Sequence, residues 1–188
     1  MINTVKENQR NSLDHFEDLW LFGYGSLIFK VDFPYREKRH ARIKGWERRF
    51  WQSSHDHRGT PEAPGRVVTL TEQPNTICDG MAYRVTPDTF AHLDHREKNG
   101  YLRFFTPLQF PNEPGHAAAQ GLVYVAGPEN DAFAGPAPLE AMVYQIANSN
   151  GPSGANAEYL LMLDEALNDL GVVDEHVAEL AHAVRALL

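Results

Sequence analysis

A single cysteine, Cys78, is all that the chain contains. One thiol rules out an internal disulfide framework, fits a reducing compartment and leaves little scope for thiol chemistry. Positive charge is also scarce, with 17 Lys and Arg against 25 Asp and Glu and a formal net charge of -8. Neutralising the phosphates of a nucleic acid takes a dense basic face, so no nucleic-acid partner is expected. Long apolar runs are missing: nothing approaches the roughly 18 consecutive apolar residues of a membrane span. The polar stretch 1–18 lacks the apolar core that a secretory signal needs and is expected to be a flexible N-terminal extension. A soluble, cytoplasmic chain that binds no membrane is the resulting expectation.

What is present suffices for one core. With 188 residues, of which 43% are hydrophobic, a single domain over 19–188 is expected. The first two thirds concentrate Val, Tyr, Phe and Trp in short runs at 19–22, 41–52 with a break near Gly45, 66–71, 80–85, 101–110 and 121–126. Gly and Pro clusters such as 59–65 separate them, which favours strands and turns over βαβ crossovers and predicts a mixed or antiparallel sheet. One helix interrupts the strands, starting at Thr86-Pro87-Asp88 with a threonine cap and proline in the first turn, and ending near Asn99-Gly100. Phe90, Leu93 and His92 form its expected inward face, with Asp94 and Arg96 solvated. The final third is helical, over 138–148, 156–170 and 174–188. In the middle helix Tyr159, Leu160, Leu163 and Leu167 make an apolar stripe, and Gly171 is placed to end it. The fold class is therefore α+β.

The most informative segment is Phe22-Gly23-Tyr24-Gly25-Ser26-Leu27. A strand runs directly into a glycine-interrupted turn, where the absence of a Cβ permits positive φ and close approach of a small anion to backbone N–H groups. An ordinary tight turn would leave the same pattern. A phosphate-binding P-loop is excluded, because Ser26 is followed by Leu27 and Ile28 and no Lys-Ser/Thr pair appears. A hydrolase elbow is excluded by spacing, which leaves Ser26 a weak nucleophile candidate.

Other clusters stay open. His55-Asp56-His57 alternates as strand ligands would, but lacks companions at metal-binding spacing, so a polar loop role is preferred and no metal is assigned. His92 and His95 have no third partner. Arg48, Arg49, Arg58 and Arg66 lie among Trp46, Phe50 and Trp51, a mixture suited to carboxylate recognition and equally to aromatics in the core with arginines solvated or paired to Glu47 and Asp56. Glu97 ends the predicted helix. Helix-dipole and desolvation effects at such a position permit acid/base work without demanding it.

Five blocks in order, FGYGSLIFKVDFPY at 22–35, RRFWQSSHDHRGTPEAPGRVVTL at 48–70, LDHREKNGY at 93–101, GPAPLEAMVYQIA at 135–147 and GPSGANAEYL at 151–160, resemble the ChaC-type γ-glutamylcyclotransferases, which act on glutathione. The resemblance implies a γ-glutamylcyclotransferase-like fold, with a barrel-like sheet and packed helices. It places the family's substrate loop on Gly23, Tyr24, Gly25, Ser26, Leu27 and Ile28, and the catalytic glutamate on Glu97. Tyr159 is a further candidate for contact with the substrate, its place on the apolar stripe being equally that of a core residue. The implied reaction is internal: the α-amine of the glutamyl group attacks its own γ-carbonyl and releases 5-oxoproline and Cys-Gly, with no metal or organic cofactor. Other γ-glutamyl amino acids or amines as substrates, or a non-catalytic ligand-sensing regulator linked to cation transport, are the alternatives.

Overall fold

The computed structural model describes residues 2–113, 115 and 118–188. Its contacts divide the chain into two compact units, each built from two stretches: Met1–Glu47 with Leu70–Asp131, and Arg48–Thr69 with Ala132–Leu188.

The first unit is organised by strands. β1 (Leu19–Gly23), β2 (Glu37–Ser54), β3 (Gly65–Val85), β4 (Leu102–Gln109) and β5 (Ala118–Val125) close a barrel in the order β1-β3-β2-β4-β5. β1 pairs antiparallel with β3, Leu21 facing Tyr83, and parallel with β5, Leu21 facing Leu122. One parallel pair among antiparallel ones makes the sheet mixed, as the sequence predicts. Leu21, Ile43, Tyr83, Leu108 and Val123 are fully buried, the apolar positions whose removal from water drives closure. The expected break at Gly45 is absorbed at a φ of +83° inside β2, and the expected gap between 71 and 80 does not exist, because β3 runs through it. Residues 72–75 are exposed, where Pro74 costs the strand little.

Two helices belong to this unit: α1 (Val5–Gln9) and α2 (Asp88–Arg96). α1 falls in the stretch expected to be loose. Thr4, Asn8 and Leu13 are buried there, because the stretch bonds to residues around 97–103 that local sequence gives no sign of. α2 starts one step later than predicted, with Pro87 at the cap position and Thr86 bonding the Asp88 side chain.

The second unit holds residues 48–54 of β2, residues 65–69 of β3, the two-residue strands β6 (Asn150–Gly151) and β7 (Gly154–Ala155), and the helices α3 (Leu139–Asn148), α4 (Asn156–Asp169) and α5 (Glu175–Arg185). Phe50, Ile146, Leu160, Leu163, Val177 and Leu180 are its buried centre. The predicted boundaries lie close to those observed because the signals are local. Gly171 takes a φ of +73°, and the N–H groups of Gly171 and Val172 donate to Asn168 and Leu167 carbonyls at 2.9 and 3.0 Å, a glycine-capped helix end. Asp174 accepts the Val177 N–H at 3.1 Å and starts α5.

Candidate active site

The glycine turn leaves the barrel at the end of β1. Gly23 is the last strand residue, and a single 3-10 turn follows over Ser26–Ile28. Neither Gly23 nor Gly25 has positive φ, so that part of the expectation is corrected, and at Gly23 what the missing side chain supplies is space. A Cβ on Gly23 would stand 2.6 Å from the Leu27 Cβ, and one on Gly80 of β3 would stand 2.3 Å from the Gly23 carbonyl oxygen. Two side-chain-free positions thus let the turn fold back on its own strand. Gly80 is a determinant that the sequence reading missed.

Side chains fix the turn at both ends. The Tyr24 hydroxyl donates to the Tyr124 carbonyl at 2.6 Å, and the Tyr83 hydroxyl donates to the Leu27 carbonyl. The Ile28 N–H closes on the Gly25 carbonyl at 3.0 Å, and those of Phe29 and Lys30 on Ser26 at 3.1 and 2.7 Å. The amides of Ser26 and Leu27 precede the first of these donors, and the leading amides of a helical turn have no acceptor within it.

Glu97 is the C-cap of α2, its N–H donating to the Leu93 carbonyl at 2.8 Å. Helical spacing explains its orientation. Phe90, Leu93, Asp94 and Glu97 recur at three and four residues, and the first three are buried. Asp94, expected on the solvated face, is instead 2% exposed, held by the Tyr124 hydroxyl at 2.6 Å and Arg103 Nε at 2.9 Å. Burial first, and then the bond to Asp94, pushes the Tyr124 phenol well above its ordinary pKa. His92 and His95 are exposed.

Arg96 joins the turn to the glutamate. Its guanidinium contacts Ser26 Oγ at a long 3.5 Å, Glu97 Oε1 at 3.6 Å and Asp32 Oδ1 at 2.7 Å. The cation opposes both the dipole at the end of α2 and the charge of the glutamate. Read from sequence as a solvated residue, Arg96 is the link between the predicted loop and the predicted acid. The remaining candidate, Tyr159, belongs to the second unit and is 6% exposed. Its ring meets Phe50 edge-on at 5.8 Å and lies under Arg58, and its hydroxyl accepts the Val68 N–H at 3.4 Å.

The arginine and aromatic cluster has internal partners. Arg48 pairs with Asp174 at 2.6 Å, Arg58 with Glu158 at 2.8 Å, and Arg66 donates to Gln145 and to the Phe50 and Gly135 carbonyls. The carboxylates of these two pairs come from the distant helical third. Burial lowers the pKa of Arg66. Among the described residues no group of three or more His, Cys, Asp or Glu gathers as a metal site; His57 faces Ser153 Oγ at 3.1 Å. Also among the described residues, no helix is long and apolar enough to cross a membrane.

A closed five-strand barrel of this order with its helices is the γ-glutamylcyclotransferase fold. A solved γ-glutamylcyclotransferase specific to glutathione from yeast superposes with a TM-score of 0.83 at 30% identity, covering 91% of this chain and 97% of the other. The ChaC-like protein family profile matches residues 19–187, and the chain belongs to that family. Gamma-glutamylcyclotransferase 2-3 of Arabidopsis thaliana is 47% identical over 182 residues, 90% of each chain. Glutathione-specific gamma-glutamylcyclotransferase 1 of Homo sapiens is 40% identical over 181 residues, 90% of this chain and 80% of the relative.

Proposed function

We propose that this chain is a γ-glutamylcyclotransferase that cleaves glutathione to 5-oxoproline and Cys-Gly. The observation that carries the reading is the Arg96 bridge, which draws a backbone-amide turn and a helix-terminal carboxylate into one cluster in a chain whose relatives bear that name. The Ser26 and Leu27 amides hold the glutamyl group, and Tyr24, Gly23, Gly25 and Ile28 shape the turn that presents them. The substrate's α-amine, protonated in water, gives a proton to Glu97. Its lone pair then attacks the γ-carbonyl carbon, a five-membered ring closes, and the amide C–N bond breaks. Glu97 returns this proton to the departing nitrogen, and the second proton that the ring nitrogen loses on becoming an amide follows through the same carboxylate to the released amine. Nucleophile and electrophile share one molecule, so freezing a reactive conformer supplies much of the rate, up to about 7 to 11 kcal/mol in favourable cases.

Residues 19–188 act as one catalytic domain in this reading, supported by the unbroken family match over 19–187. Tyr159 is carried as a contact to substrate on resemblance. The buried lone Cys78 suits a reducing compartment such as the cytoplasm.

The test is product analysis. Purified protein is incubated separately with glutathione and with γ-glutamyl-alanine, and 5-oxoproline is measured. Equimolar 5-oxoproline and Cys-Gly from glutathione, with little release from γ-glutamyl-alanine, is expected. Preference for γ-glutamyl-alanine overturns the substrate, and no 5-oxoproline from either overturns the activity.

A further inference from the structure

The residues before β1 close a ring of hydrogen bonds around the turn that carries Glu97. Thr4 Oγ1 stands 3.3 Å from the Glu97 carbonyl oxygen and 3.1 Å from that of Lys98, sharing its one proton between them. The Thr4 N–H donates to the Lys98 carbonyl at 2.9 Å, and Asn3 forms an antiparallel bridge with Asn99. Asn8 then spans the far side. Its Nδ2 donates to the Tyr101 carbonyl at 2.9 Å while its Oδ1 accepts the Arg103 N–H at 2.9 Å. The Arg103 guanidinium returns to the Asn8 carbonyl at 2.6 Å and to Asp94 on α2 at 2.9 Å. Every element flanking Glu97, the helix before it and the strand after it, is therefore tied to the same short segment.

Such a clamp has a physical reason. Carbonyls at the end of a helix have no donors within it, and Gly100, at a φ of +93°, gives the turn little stiffness of its own. Thr4 and Asn8 are 6% and 4% exposed, so their polar groups are committed to these bonds and not to solvent. The segment lies before the first residue that the family profile matches, Leu19, so this support comes from outside the shared domain.

We propose that residues 3–11 are a positioning strap for the catalytic turn, in which Thr4 and Asn8 act through the 97–101 backbone to hold the Glu97 carboxylate at the reacting amine. The inference rests on Glu97 being the proton-transfer group. Misplacing such a group costs rate and leaves binding at the glycine turn intact, so kcat and KM separate.

Three substitutions in the full chain test it. Thr4→Val keeps the shape and removes the hydroxyl, Thr4→Ser restores the hydroxyl, and Asn8→Ala removes the second tie. With glutathione, Thr4→Val is expected to lower kcat about ten-fold with KM within about two-fold, Thr4→Ser to regain most of the rate, and Asn8→Ala to lose at least as much as Thr4→Val. Amide hydrogen exchange at 97–101 should quicken in Thr4→Val while the barrel strands stay protected. Wild-type kcat in Thr4→Val, or a loss that Thr4→Ser does not restore, overturns the strap. Should Asn8→Ala fail to fold, Thr4→Val decides alone. If the wild-type protein shows no turnover, the functional reading fails separately, and exchange at 97–101 in Thr4→Val still decides the strap: no acceleration overturns it.

Discussion

Arg96 Nε lies 3.6 Å from Oε1 of Glu97, its neighbour in the chain, while the same guanidinium holds Asp32 at 2.7 Å. Asp32 fixes the cation, and the cation faces the proposed proton carrier. Partly exposed ion pairs contribute about 0–1 kcal/mol to stability, so under the proposed function the effect of this contact falls on the placing of the carboxylate. Arg96→Gln should leave the melting temperature nearly unchanged and lower kcat/KM for glutathione about ten-fold, a loss of roughly 1.4 kcal/mol in the transition state. Parallel thermal melts and initial rates check both halves.

Space at the turn gives the second prediction. Gly23→Ala sets a Cβ 2.6 Å from the Leu27 Cβ, and Gly80→Ala sets one 2.3 Å from the Gly23 carbonyl. Neither obstacle is the mobile end of a side chain, so the turn must shift, at a cost of about 1–3 kcal/mol. Displaced amides grip the glutamyl group less well. Each variant should raise KM for glutathione and lower the denaturation midpoint, measured by steady-state kinetics and urea unfolding.

Alkaline stability reports on Tyr124. Its phenol is held above the ordinary value of 10.0 by burial and then by Asp94, whereas in the unfolded chain a tyrosine ionises near pH 10. The folded state therefore keeps a proton that the unfolded state loses. The stability tied to this group is fully present below about pH 10 and declines as pH rises beyond it, by at most about 1.4 kcal/mol per pH unit. Tyr124→Phe should make that decline shallower. Tyr83, raised by burial and then by Tyr35, keeps it from vanishing. At neutral pH the same variant is less stable by about 1–3 kcal/mol, because buried Asp94 loses a donor. Denaturant melts between pH 7 and 11 measure both effects.

In the helical unit, Asp174 serves twice: Oδ1 caps α5 through Val177 and Oδ2 pairs with Arg48, whose side chain is 1% exposed. Asp174→Ala should cost about 3–5 kcal/mol, the scale for removing one member of a buried pair. Asp174→Asn, which can still cap, should cost less. Urea unfolding separates the two.

Local signals explain what could be read beforehand. Gly171, Asp174 and the stripe through Leu160, Leu163 and Leu167 act within a few residues, so the helical third was legible in the sequence almost to its boundaries. The glycine turn is legible as a candidate site only with Glu97 and the family resemblance beside it. Partners from distant sequence were not legible. Asp94 and Arg96 have the composition of a solvated helix face, and only the fold supplies Tyr124, Arg103 and Asp32 to bury or bind them. The same holds for Arg48 and Arg58, whose carboxylates lie 126 and 100 positions away. Residues 1–18 look like a loose tail because Thr4 and Asn8 bond to carbonyls 93 or more positions on. In β3 the runs 66–71 and 80–85 read as separate strands, yet one strand passes through both, with residues 72–75 exposed.

The most direct test of the account is turnover of glutathione by Glu97→Gln, with 5-oxoproline as the readout. Glutamine matches the shape of glutamate but cannot carry the proton, and general acid–base groups typically supply about 100- to 10,000-fold in rate. A folded Glu97→Gln protein that still binds glutathione and forms 5-oxoproline at least about 100-fold more slowly is the predicted result. A folded variant that turns over at the wild-type rate would contradict it.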